Sequence, residues 1–138
     1  MSGCQATQGR SLRVLLVDAD ENVGRWIGLL IDQTVGFEYS GLCLSPNELL
    51  PAVLDTRPDL IIMDLNGANK ADISPNEIKR AVPGLKIFLT DNVDGGRVYQ
   101  DLARRLSANG FMSKNNIQES LTRLCTAVDS GSEEVDDG

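Results

Sequence analysis

Residues 58 to 66, Pro-Asp-Leu-Ile-Ile-Met-Asp-Leu-Asn, constrain the fold of this chain more than any other stretch. The run Leu60 to Met63 is apolar without a break, follows Pro58, and delivers one carboxylate, Asp64, to its C-terminal end. A run that short and that uniformly apolar predicts a strand buried on both faces, as in a parallel sheet. In open α/β sheets, ligands lie outside the carboxyl ends of the strands, which places Asp64 where chemistry is done. A second apolar run, Leu12 to Val17, ends likewise in Asp18-Ala19-Asp20. Two strands that finish in acids predict a small site for a cation or a phosphoryl group.

The rest of the chain repeats this unit. Residues 1 to 11 are polar and small and read as a disordered lead-in. After strand one, Leu12 to Asp18, Asp20 is placed to cap a helix whose apolar positions are Val23, Ile27, Leu30 and Ile31. Gly36 closes that helix and opens strand two, Phe37 to about Leu44. Ser45-Pro46 is a cap followed by proline at the first helical position, so a second helix runs to about Thr56. Strand three is Asp59 to Asp64, and Leu65 to Ile73 is a Gly/Asn-rich loop. Ser74-Pro75 starts a third helix with Glu77 as its capping-box acid. Pro83-Gly84 turns into strand four, Leu85 to Thr90, and a fourth helix covers about Gly95 to Ser107. Asn109-Gly110 turns into strand five, Phe111 to Ser113. A fifth helix runs from about Asn116, with Ile117, Leu121, Leu124 and Val128 on one stripe. Residues 130 to 138 are acidic and read as a tail or a linker stub. Five alternations of strand and helix demand right-handed crossovers and a parallel sheet with helices on both faces. The expected architecture is α/β, flavodoxin-like and doubly wound, with strand order 2-1-3-4-5 and five helices. Strands one and three are then neighbours, which brings Asp18 and Asp64 together.

Composition narrows the chemistry. A chain of 138 residues suits one domain with a proper core. Its formal charge of −7 argues against gripping a nucleic-acid backbone. It contains no histidine, which removes histidine-based general bases, metal ligands and nucleophile relays. Cys4, Cys43 and Cys125 have no paired spacing, and the last two fall in apolar segments, so they read as buried hydrophobes of a reducing cytosol. No stretch approaches the roughly 20 apolar residues of a membrane span, and no signal pattern opens the chain, so a cytoplasmic protein is expected. No Gly-x-x-x-x-Gly-Lys loop occurs. Trp26 sits beside the Val23/Ile27 stripe, where partial packing is expected.

Four residues together are distinctive: Asp18 after strand one, Asp64 at the end of strand three, Thr90 at the end of strand four and Lys114 after strand five. In that order the chain, from residue 12 to about 129, resembles the receiver domain of bacterial two-component response regulators. The resemblance implies that Asp64 accepts a phosphoryl group from a phosphohistidine on a sensor histidine kinase or phosphotransfer protein. It implies Mg²⁺ held by Asp18, Asp64 and the backbone carbonyl of Asn66, because a carboxylate is a weak nucleophile and the incoming charge needs neutralising. Lys114 would pair with Asp64 or a phosphoryl oxygen, and the hydroxyl of Thr90 would donate to that oxygen. Phe111 matches the aromatic whose rotamer follows Thr90 and reshapes the surface of helix four, strand five and helix five, through which the family also self-associates. Tyr99, Arg104 and Arg105 lie in that helix four, near acids such as Glu119 in helix five. No enzymatic action on an external substrate is implied, although a DNA-binding output domain is a reasonable companion.

The chain also departs from the family pattern. Ala19 stands where a second metal-binding acid is usual, and Asp20, one residue on, should cap the helix. Asp91, bulky and negative, replaces a small residue beside Thr90. Ala68 and Asp72 replace the loop's usual Pro and Gly, and Asn115 follows Lys114 in place of Pro, so the usual cis peptide is not expected. Magnesium binding is therefore expected to be weak. Two functional classes follow: a phosphoacceptor switch at Asp64, and a pseudo-receiver set by partner binding or dimerisation without phosphate.

Overall fold

The computed structural model describes residues 11–66, 74–93 and 96–129, with side chains as far as Leu124. The lead-in through residue 10, Ala68, Asp72, Gly95, the 130–138 tail and the side chains of Cys125 and Val128 lie outside the described residues. The strands are β1 Leu12–Val17, β2 Phe37–Cys43, β3 Leu60–Asp64, β4 Lys86–Asp91 and β5 Gly110–Ser113. The helices are α1 Glu21–Asp32, α2 Leu49–Thr56, α3 Pro75–Ala81, α4 Arg97–Arg105 and α5 Ile117–Asp129. The sheet is parallel throughout, in the order β2-β1-β3-β4-β5. The expected strand order and helix alternation are those observed.

Local chemistry sets the element ends. Asp20 caps α1 by accepting from the N–H groups of Asn22 and Val23. Glu77 and Ser74 form a reciprocal capping box at the start of α3. The turn into β2 uses Gly36 at φ 94°, a left-handed conformation that a side chain disfavours. At Ser45-Pro46 the second helix opens as a 3-10 turn over Pro46–Glu48 before α2 begins. Beyond β3, the expected loop from Leu65 begins instead with helical Leu65 and Asn66, and residues 67–73 lie outside those described. β4 runs one residue further than expected, so Asp91 closes the strand. Bonds from Asn109 across to Ile87 on both its backbone and side chain align β5 with β4.

Alternation along each strand divides the core into two layers. Leu15, Ile61, Met63, Ile87, Leu89 and Phe111 face α2, α3 and α4. Val14, Leu16, Ile62, Phe88 and Met112 face α1 and α5. With both faces covered, the central strands carry no polar alternation, which is why β3 reads as an unbroken apolar run. The polar residues that end these strands all emerge at the same edge of the sheet.

Candidate functional site

At the C-terminal edge of the strands, Lys114 leaves β5 in a 3-10 turn with its side chain buried. Its ammonium donates to Asp18 Oδ2 at 2.7 Å and to Asp64 Oδ1 at 2.9 Å. The pairing of β1 with β3 brings those two carboxylates side by side. Burial works against the charge on Lys114, but its hydrogen bonds to Asp18 and Asp64 outweigh burial and hold its pKa above the ordinary lysine value. Asp64, at the open side, has its side chain 18% exposed against 7% for Asp18. A cleft of about 480 Å³ opens over Asp64, lined also by Ala19, Asn66, Asp91 and Asn92.

Thr90 stands one strand over, paired in register with Asp64. Its hydroxyl is buried and finds no hydrogen-bond partner among the described residues. Leaving a buried hydroxyl unsatisfied costs about 1–3 kcal/mol, so its position calls for an explanation beyond packing. Phe111, in the next strand, is buried with its ring centroid 4.9 Å from that of Tyr99 on α4.

No protein-family model matches the sequence, and no curated protein matches it. Solved structures do match. A two-component response regulator of the LuxR family from Aurantimonas sp. SI85-9A1 superposes with a TM-score of 0.70 at 18% identity, covering 92% of this chain and 91% of that one. The isolated REC domain of RcsB from Salmonella enterica serovar Typhimurium, in the presence of phosphomimetic BeF3-, gives 0.69 at 18%, covering 89% and 91%. CheY6 crystallised with the P1 domain of CheA3 from R. sphaeroides belongs to a structure matching at 0.63 and 21%, covering 77% and 84%. The chain has the receiver fold.

Within this receiver fold, Asp18, Asp64 and Lys114 meet as the sequence predicts, with Thr90 beside Asp64 in register. Asp20 does not join them: its Oδ1 is taken by the N–H groups at the start of α1. The N–H of Asp20 in turn donates to Asp18 Oδ1. A divalent ion thus meets a poor donor set. Both oxygens of Asp18 are engaged, Asp64 Oδ1 is engaged by Lys114, and Ala19 offers no side-chain oxygen. Among the described residues, no three Asp, Glu, His or Cys side chains gather as metal ligands. The residues present do not fit an ordinary magnesium site, whose octahedral shell is built around carboxylates and water.

Two contacts were not legible from the sequence. Asn115 Nδ2 donates to the carbonyl of Asn92 at 3.3 Å, tying the turn after β5 to the turn after β4. Gln100, buried on α4, grips the backbone of Phe111. A glutamine one turn before Ala103, on the side of α4 that meets the sheet, was the available signal. Trp26 is half-exposed on α1, in line with partial packing.

Proposed function

We propose that this chain is a signal-transduction receiver whose phosphoryl acceptor is Asp64. The observation that carries this reading is the juxtaposition of a carboxylate at the mouth of the cleft, an ammonium bonded to it, and an unpartnered buried hydroxyl in the adjoining strand. A free oxygen of Asp64 would bond to phosphorus as the phosphorus–nitrogen bond of a phosphohistidine donor breaks, and the leaving imidazole nitrogen takes a proton. Lys114 offsets part of the incoming negative charge without movement, being already in place. Thr90 then gains the acceptor it lacks, a phosphoryl oxygen. Donors of this kind fit the pairing of CheY6 with the P1 domain of CheA3. The working partner is a histidine kinase or phosphotransfer protein in the cytoplasm, with α4, β5 and α5 as the output or self-association surface.

A second reading, a receiver-fold interaction module independent of phosphate, is favoured by Ala19, by the commitment of Asp20 to α1, and by Asp91 lining the cleft. At about 5 Å and an effective dielectric of roughly 20, one like charge opposes a phosphoryl oxygen by about 3 kcal/mol before screening. Calorimetry of beryllofluoride binding with Mg²⁺ separates the two. The phosphoacceptor reading expects weak binding in the wild type, tighter binding in Ala19→Asp/Asp91→Ala, and none in Asp64→Ala. Absence of binding in both wild type and double variant leaves the interaction module as the function.

A further inference from the structure

β5 lies at the edge of the sheet, so one side of its backbone has no neighbouring strand among the described residues. The groups of Phe111 that a further strand would use are instead held by one side chain. Phe111 N–H donates to Gln100 Oε1 at 3.2 Å, and Gln100 Nε2 donates to Phe111 O at 3.1 Å. The amide of Gln100 thus matches the donor and acceptor of a peptide unit. It is 5% exposed, an environment in which an unbonded amide is costly. The neighbouring residue on α4, Tyr99, packs its ring on that of the same Phe111.

The remainder of α4 rests on apolar contacts, with Ala103 buried in the core and Tyr99 and Leu102 packed against it. Its N-cap, Gly96, supplies no side-chain hydrogen bond, and its buried residues are Gln100 and Ala103. Arg97, Val98, Arg104 and Arg105 are exposed, Val98 at 75%. The slot around the latch is shaped by Gly110, where a Cβ would come within 3.1 Å of the Phe88 ring and 3.5 Å of Gln100 Oε1. Two hydrogen bonds from one side chain therefore add a directional, backbone-specific tie to the apolar packing of Tyr99, Leu102 and Ala103.

We propose that Gln100 is a positioning residue, a latch that seats α4 on β5 through the backbone of Phe111, and that its release lets events at Asp64 reach the outer face of α4. The trigger rests on the phosphoacceptor reading; the latch itself does not. If the latch is made in the resting seat and broken in the switched one, latch and phosphoryl ligand are coupled reciprocally. Removing the latch then raises affinity for the ligand, an effect that a purely structural contact does not produce.

The test uses the full chain with Gln100→Leu, which keeps bulk and loses both bonds, and Gln100→Glu, which keeps the acceptor and loses the donor. Amide exchange followed by NMR is expected to show Phe111 opening roughly tenfold faster in Gln100→Leu, with Gln100→Glu in between and the β3 amides of Ile61 and Ile62 unchanged. Beryllofluoride affinity in Gln100→Leu is expected to rise about fivefold. Unchanged exchange at Phe111, or acceleration of Phe111 and β3 by one common factor, overturns the latch. Faster exchange with unchanged affinity overturns its role in switching. If the wild type and Ala19→Asp/Asp91→Ala both fail to bind beryllofluoride, the phosphoacceptor reading falls, and the exchange comparison decides the latch alone.

Discussion

Lys114 bridges two carboxylates that otherwise face each other at the ends of β1 and β3. Removing one member of a buried ion cluster leaves uncompensated charge, so Lys114→Met is expected to lower stability by about 3 kcal/mol in chemical denaturation. Asp64→Asn in the same background should recover part of that loss, since one of the two repelling charges is gone. Stability should also fall at alkaline pH through Cys43, Lys114 and Tyr39, the last raised above its ordinary value of 10.0 chiefly by burial. Burial pushes the Cys43 thiol up from 9.0 to about 11. A raised folded pKa means that the folded state holds its proton more tightly, so this contribution is complete below pH 9 and lost as pH climbs toward 11. Lys114 behaves in the same sense at higher pH, its contribution being complete below the ordinary value of 10.5 and lost above it. Thermal unfolding of the wild type and Cys43→Ala across pH 8 to about 11 checks this: the variant should lack the decline that begins near pH 9 and keep the later one from Tyr39 and Lys114.

At the scale of elements, α1 lies close to β2 because it presents two glycines one turn apart. A Cβ at Gly24 would lie 2.7 Å from Leu42, and one at Gly28 2.7 Å from the Tyr39 ring. In an exposed helix, Gly→Ala would add about 1 kcal/mol of stability. Here overpacking costs about 1–3 kcal/mol and reverses the sign, so Gly28→Ala should be less stable than the wild type. A gain in denaturation midpoint would mean that the Tyr39 ring swings aside freely. Helix periodicity predicted α1 and its cap from residues that act within a few positions of one another. It could not say that Gly24 and Gly28 meet β2, because that contact exists only once the strands pair.

At the scale of the molecule, α4 carries three exposed arginines on a chain of net charge −7. Arg104 pairs within its own helix with Asp101 at 3.0 Å. Exposed pairs contribute about 0–1 kcal/mol each, so their use lies in choosing a partner of complementary charge more than in holding the fold. Reversing both charges in Arg104→Glu/Arg105→Glu should leave the melting temperature within a few degrees and weaken self- or partner association in analytical ultracentrifugation. Indifference of the association state would place the contact elsewhere.

Strand order, the two-layer core and the meeting of Asp18 with Asp64 were legible in the chain because they follow from local rules, whereas the pairing of Lys114 was implied only by the resemblance to receiver domains. An apolar run buried on two faces, a cap, a turn and the handedness of crossovers together leave few topologies. What only the tertiary structure decided lies between elements. The engagement of Asp18 and Asp64 by one ammonium, the unpartnered hydroxyl of Thr90 and the grip of Gln100 on Phe111 each depend on distances of a few tenths of an ångström across separate segments. Sequence periodicity carries the face a residue occupies. It carries nothing about which atom on another segment that face will meet, since hydrogen bonds and charge pairs are decided by contact geometry that exists only in the packed chain.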